Sequence, residues 1–90
     1  MNKLFLDSLP TSPGVYKMLD IDKNIIYIGK AGNLKKRVSS YFMKSNHSVK
    51  NQRLIEKIRD IDYQITSNEQ DALLLENNLI KEYKPKYNIL

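Results

Sequence analysis

The spacing of apolar positions changes character several times along this chain, and each change marks an element. From Val15 to Leu19, and again from Ile25 to Lys30, apolar and aromatic side chains crowd into runs of five or six residues, as strands require. Between them Asp20-Ile21-Asp22-Lys23-Asn24 supplies a short polar hairpin loop, and that loop pairs the two strands so that Tyr16 and Tyr27 fall nearly opposite each other. Past Gly32 the period lengthens. Leu34, Val38, Tyr41 and Phe42 recur at helical spacing, predicting a helix over 34–43 with Asn33 as its cap. A loop over 45–48 precedes a second helix over 49–59, with Leu54, Ile55 and Ile58 turned inward. Residues 62–66 are partly alternating and read as a third strand. Ser67-Asn68-Glu69-Gln70 has the form of a capping box, opening a long helix over 69–83 whose inward stripe is Ala72, Leu75, Leu79, Ile80 and Tyr83. Pro85 cannot continue it.

Three strands and three helices in 90 residues make one α+β domain spanning 1–90. A chain this short buries only about 60–65% of its unfolded surface, so one modest core is expected. With 41% hydrophobic and 28% charged residues it is composed as a folded protein rather than a disordered one. The absence of cysteine excludes disulfides and thiolate metal sites. Residues 1–10 lack the apolar core of a signal peptide, and no apolar run approaches the length of a membrane span, so a soluble, cytoplasmic domain is expected.

Charge adds a direction. The net charge is +5, but the segment from Lys30 to Lys57 alone carries eight basic residues (Lys30, Lys35, Lys36, Arg37, Lys44, Lys50, Arg53 and Lys57) against the single acid Glu56. Lys81, Lys84 and Lys86 form a second small cluster. Positive charge gathered this way, with a pI near 9.5, suits a polyanion, nucleic acid first; a solvated lysine-rich face is the plainer alternative. Lys30, Lys35, Lys36, Arg37, Lys44, Lys50 and Arg53 are the candidate DNA contacts.

Candidate chemistry sits on two short signatures, Gly14-Val15-Tyr16 and Tyr27-Ile28-Gly29, one hairpin apart. A cross-strand aromatic pair contributes about 0.2–1 kcal/mol, which is the purely structural account of the tyrosines. A phenol titrates near 10, so it serves as a base at neutral pH only beside positive charge; Lys30, at the strand end, is the candidate neighbour. Glu76 lies on the inward stripe of the last helix. A carboxylate there needs a cation or hydrogen-bond donors, and two readings stand: a salt bridge or water at the stripe's edge, or a divalent metal ligand. Arg37 and Tyr41, four apart, share a helix face, where the guanidinium can fork onto phosphate oxygens. His47 is given no role.

The order of these residues resembles the GIY-YIG nuclease family, in its nucleotide-excision-repair branch. Leu9-Pro10, Pro13-Gly14-Val15-Tyr16 and Tyr27-Ile28-Gly29-Lys30-Ala31 are similar to the family's opening, and Leu34 with Arg37 and Ser40-Tyr41 begin its remainder. Glu69, Ala72, Leu75-Glu76, Asn78-Leu79-Ile80-Lys81 and Lys84-Pro85-Lys86-Tyr87-Asn88 are similar to its remainder, with Val15 in place of the name-giving isoleucine. The resemblance implies a three-stranded antiparallel sheet flanked by helices and a divalent-metal-dependent DNA endonuclease. It implies one Mg2+ or Mn2+ on Glu76, Tyr16 and Tyr27 lining the site with one of them as general base, and Arg37 on the phosphate. Lys30, Tyr41 and Asn88 stand in support. The branch implies incision on the 3′ side of a lesion in double-stranded DNA after handover from UvrB, which is contacted by parts of a longer protein, the domain itself being monomeric. Two other readings remain open: a non-catalytic basic nucleic-acid-binding module, and a GIY-YIG nuclease of the homing or restriction type.

Overall fold

The computed structural model describes residues 3–43 and 48–89. Its elements in chain order are α1 (Lys3–Asp7), β1 (Gly14–Leu19), β2 (Ile25–Ala31), α2 (Leu34–Ser40), α3 (Val49–Lys57), β3 (Asp60–Ile65), α4 (Glu69–Tyr83) and α5 (Lys86–Ile89). The three strands form one antiparallel sheet in the order β2-β1-β3, as expected. β1 is central, and Val15, Tyr16 and Met18 are almost wholly buried because both faces of the strand are covered.

The two faces carry separate cores. On one, Tyr16 and Met18 of β1 pack with Leu34, Val38 and Tyr41 from the α2 side, with Leu54 and Ile58 from the α3 side, and with Tyr87 of α5. On the other, Val15 and Ile28 pack on Ala72, with Leu75, Leu79 and Ile80 of α4 around them. α4 lies over β2 and β1.

Local chemistry fixes the joints. Asp20 accepts from the backbone N–H groups of Asp22 and Asn24, both at 2.9 Å, and so builds the hairpin loop as an Asx turn, with Lys23 left-handed at φ 64°. Asn33 caps α2 by accepting from the Lys36 N–H at 3.0 Å, as its sequence predicts. Ser48 caps α3 in the same way.

Several expectations shift. The third strand begins at Asp60 rather than residue 62, because Ile61 supplies its one buried contact. α2 ends at Ser40, and Tyr41 and Phe42 enter the core from the turn that follows. The cap of α4 is Asn68, which accepts from Asp71 N–H at 2.8 Å, one residue later than a box starting at Ser67. Tyr83, assigned to the inward stripe, is 48% exposed; beyond Ile80 the buried positions pass to Pro85 and Tyr87. The short helices α1 and α5 were not anticipated, since neither is long enough to show a period. The loop assigned to 45–48 lies, except for Ser48, outside the described residues.

Candidate active site

A bulge places the two signature tyrosines. Leu19 pairs with Ile25, but Met18 pairs with Tyr27, so Ile26 is an extra residue on β2. Without it Tyr27 would oppose Lys17 and point to the α4 face, since a one-residue slip exchanges the faces of a strand. With it, Tyr16 stands opposite Gly29, Tyr27 stands opposite Met18, and all four share the α2 face. The tyrosines are thus diagonal neighbours, not the directly facing pair that a regular hairpin implies. Their rings lie 6.2 Å apart, and the ring of Tyr16 lies across Gly29, where a β-carbon would collide with its hydroxyl end.

Tyr41 completes a triangle. Its ring is 5.9 Å from Tyr16 and 6.4 Å from Tyr27, and its hydroxyl is hydrogen-bonded to that of Tyr16 at 2.9 Å. Arg37, one helical turn earlier, donates from Nη2 to the Tyr41 hydroxyl at 3.3 Å and stacks over its ring at 5.1 Å. The sequence placed Arg37 and Tyr41 on one face, and the structure joins them.

The electrostatics separate the two signature phenols. Tyr16 is 1% exposed, and burial first, then the Tyr41 hydroxyl, push its pKa far above the ordinary phenol value. Tyr27 is half-buried and is pushed up to about 12, again by burial first and then by Tyr41, with Glu76 adding to the rise and Arg37 opposing it. Partial burial works against the Arg37 charge, but Tyr16, Tyr41 and Tyr27 outweigh it and shift the guanidinium above its ordinary value. The positive group acting on both phenols is therefore Arg37, not Lys30 as expected: Lys30 is opposite Val15, out of phase with the tyrosines.

Glu76 projects from the half-buried margin of α4 and reaches Tyr27 electrostatically. It makes no ion pair among the described residues. Two readings stand for this half-buried carboxylate: contact with water at the stripe's edge, or a bound cation. Among the described residues no group of three or more His, Asp and Glu side chains converges. That donor set fits a hard, largely hydrated cation held by one carboxylate, the manner in which Mg2+ binds, and no dehydrated cage.

Asn88, expected in a supporting place, is engaged with the backbone of the second signature. Its Oδ1 accepts from Ile28 N–H at 2.8 Å and its Nδ2 donates to Ile28 C=O at 2.9 Å. The carboxamide occupies the open edge of β2 between Tyr27 and Gly29, as a strand neighbour would, so Asn88 positions the signature.

Of the basic residues, Lys30, Lys36 and Arg37 line one cavity of about 390 Å³ with Ala31, Gly32, Asn33 and Ser40. Ser40 and Asn33 went unmarked as site residues; Asn33 was legible only as a cap and Ser40 only as part of a resemblance. Lys35 lines an adjoining depression. Lys50 and Arg53 are exposed on α3, apart from both linings, and Lys44 lies outside the described residues.

A three-stranded sheet bearing paired Tyr-Gly signatures, with an arginine on one helix and a glutamate on another, defines the GIY-YIG class of domain. The family model for the UvrC-like GIY-YIG domain matches residues 12–89. UvrABC system protein C of Legionella pneumophila strain Lens is 54% identical over 87 residues, 97% of this chain. That of Bacteroides thetaiotaomicron is 58% identical over 83 residues, 92% of the chain. Among solved structures, the GIY-YIG N-terminal endonuclease domain of UvrC from Thermotoga maritima, bound to its catalytic magnesium, has a TM-score of 0.83 at 36% identity, covering 97% of this chain and 98% of that one. This chain belongs to the UvrC-like GIY-YIG domain family. It spans 14% of the length of these curated relatives.

Proposed function

We propose that this domain is a divalent-metal-dependent endonuclease that hydrolyses a phosphodiester bond of DNA. The observation that carries the reading is the meeting of Arg37, Tyr41, Tyr16 and Tyr27 on one sheet face, with the Glu76 carboxylate, in no ion pair among the described residues, acting on Tyr27. Glu76 would hold the cation, Mg2+ or Mn2+, whose chemistry is to neutralise charge on the phosphoryl and leaving oxygens and to acidify bound water.

The chain's own residues divide the remaining work. Arg37 spends one N–H group on Tyr41, which leaves further donors to fork onto a phosphate oxygen. Tyr16 is sealed, so it braces Tyr41 and cannot meet water. Tyr27, half-buried, is the phenol placed to accept a proton from an attacking water; of the two it is our general base. Ionising it near neutral pH demands positive charge beyond that of Arg37, and Glu76 is where that charge would be held. Lys30 lines the cavity beside Arg37 and supports the phosphate rather than the phenol.

We further infer that residues 1–90 form a single domain, monomeric by itself, of a longer protein; relatives about seven times as long support this. In that setting it would make the 3′-side incision in damaged double-stranded DNA in nucleotide excision repair, with UvrB engaged through other parts of the protein. Among the described residues no helix is long and apolar enough to cross a membrane, and a cytoplasmic place suits a DNA substrate. Glu76→Gln tests the reading: nicking of a damaged duplex should be lost while the far-UV spectrum and DNA binding remain. Undiminished nicking would overturn the assignment.

A further inference from the structure

The cavity beside Arg37 has a neighbour along α2. On the other side of the helix's first turn lies a second depression of about 320 Å³, lined by Thr11, Asn33, Lys35, Lys36, Ser39 and Met43. Asn33 and Lys36 line both, so the two hollows adjoin. We propose that the second depression seats the nucleotide neighbouring the scissile phosphate, its deoxyribose against Met43 and its phosphate at Lys35 and Lys36. The proposal deepens the nuclease reading and rests on it.

Three observations carry it. First, the hollow joins an apolar floor to nearby positive charge: its surface is almost wholly apolar, Met43 is 64% exposed, and Lys35 and Lys36 are among its lining residues. Second, the wall is held in place. Leu34 N–H donates to Ser12 C=O at 3.0 Å and Lys35 N–H to Pro10 C=O at 2.9 Å, which fastens the segment carrying Thr11 to α2. A seat fixed before binding loses less entropy on occupation. Third, those same bonds, with Lys36 N–H on the Asn33 side chain and Arg37 N–H on Asn33 C=O, engage the N–H groups of the first turn. The backbone therefore has no donors left for an anion, and recognition falls to the side chains of Lys35 and Lys36. Their charge, in the most basic stretch of the chain, selects a polyanion over an apolar partner.

The seat can be tested on the 90-residue chain with a fluorescein-labelled damaged duplex. In a Glu76→Gln background, Lys35→Ala should lower the salt slope of log affinity by about 0.9, one phosphate contact, whereas Lys81→Ala on the exposed side of α4 should leave it unchanged. In the cleaving chain, Lys35→Ala and Met43→Glu should each raise KM severalfold at near-constant kcat. A salt slope unaltered by Lys35→Ala, with cleavage intact, would overturn the seat and leave the nuclease reading standing. A chain that shows the lysine-dependent slope but never cleaves would overturn the nuclease reading, and the seat with it, leaving only a phosphate contact at Lys35.

Discussion

The hydroxyl end of the Tyr16 ring fills the space beside Gly29, its partner in the β1–β2 register. The glycine of the second signature is thus explained by the tyrosine of the first: any β-carbon at 29 would occupy the space of the Tyr16 hydroxyl, the group bonded to Tyr41. Gly29→Ala should therefore destabilise the chain by about 1–3 kcal/mol, the cost of overpacking a filled core, and should disturb the tyrosine cluster. Gly32→Ala is the comparison. A β-carbon there meets only the flexible carboxylate tip of Glu69, which can swing away, so its cost should stay within about 0.5 kcal/mol. Urea denaturation of the two variants decides it; equal losses would contradict the packing argument.

That relationship also marks how far sequence reading reaches. Strand and helix types were legible because apolar spacing follows the pleat and the helical turn, and the Arg37–Tyr41 pair was legible because four residues make one turn. The register was not. A bulge at Ile26 leaves no compositional trace, yet it alone turns Tyr27 to the face of Tyr16. The backbone duty of Asn88 was hidden for a similar reason, since its partner is 60 positions away and is a main-chain group. Glu76 was legible as an anomaly on an apolar stripe, but only folding shows that Tyr27 feels its charge.

Asn88 closes the open edge of β2 through both ends of its carboxamide. Asn88→Ala leaves the Ile28 N–H and C=O without partners at a half-buried site and should cost about 1–3 kcal/mol. Asn88→Asp should fare no better: one oxygen can still accept from the N–H, but the other would face the Ile28 carbonyl. Amide hydrogen exchange at Ile28 is the local measure. Protection should fall in both variants, and retention in Asn88→Ala would show that the edge is held by something else.

Lys23 occupies the left-handed region at φ 64°, where a β-carbon is strained and its exposed side chain offers no compensating burial. The turn is held by Asp20, not by Lys23. Lys23→Gly should therefore raise stability by up to about 1 kcal/mol, offset in part by the greater freedom of glycine in the unfolded chain. A lower melting temperature would mean that the lysine side chain supports the turn.

Tyr27 links stability, pH and the cation in one measurement. Its pKa is raised from 10.0 to about 12 in the fold, so the folded chain holds the phenolic proton more tightly than the unfolded chain does. The resulting stabilisation is complete below pH 10 and is lost as pH rises from about 10 to about 12, and Tyr27→Phe should shrink that alkaline decline. Tyr16, raised further still from the same starting value, leaves a residual decline that also begins near pH 10 and runs on beyond that of Tyr27. Positive charge held at Glu76 should reverse the contribution that the bare carboxylate makes, so Mg2+ should shift the Tyr27 titration downward, read by the ultraviolet difference spectrum of the phenolate. The shift should vanish in Glu76→Gln and persist in Tyr16→Phe. A Mg2+-induced shift that survives Glu76→Gln would place the cation elsewhere, and no shift in the unaltered chain would remove the electrostatic basis for Tyr27 as the base.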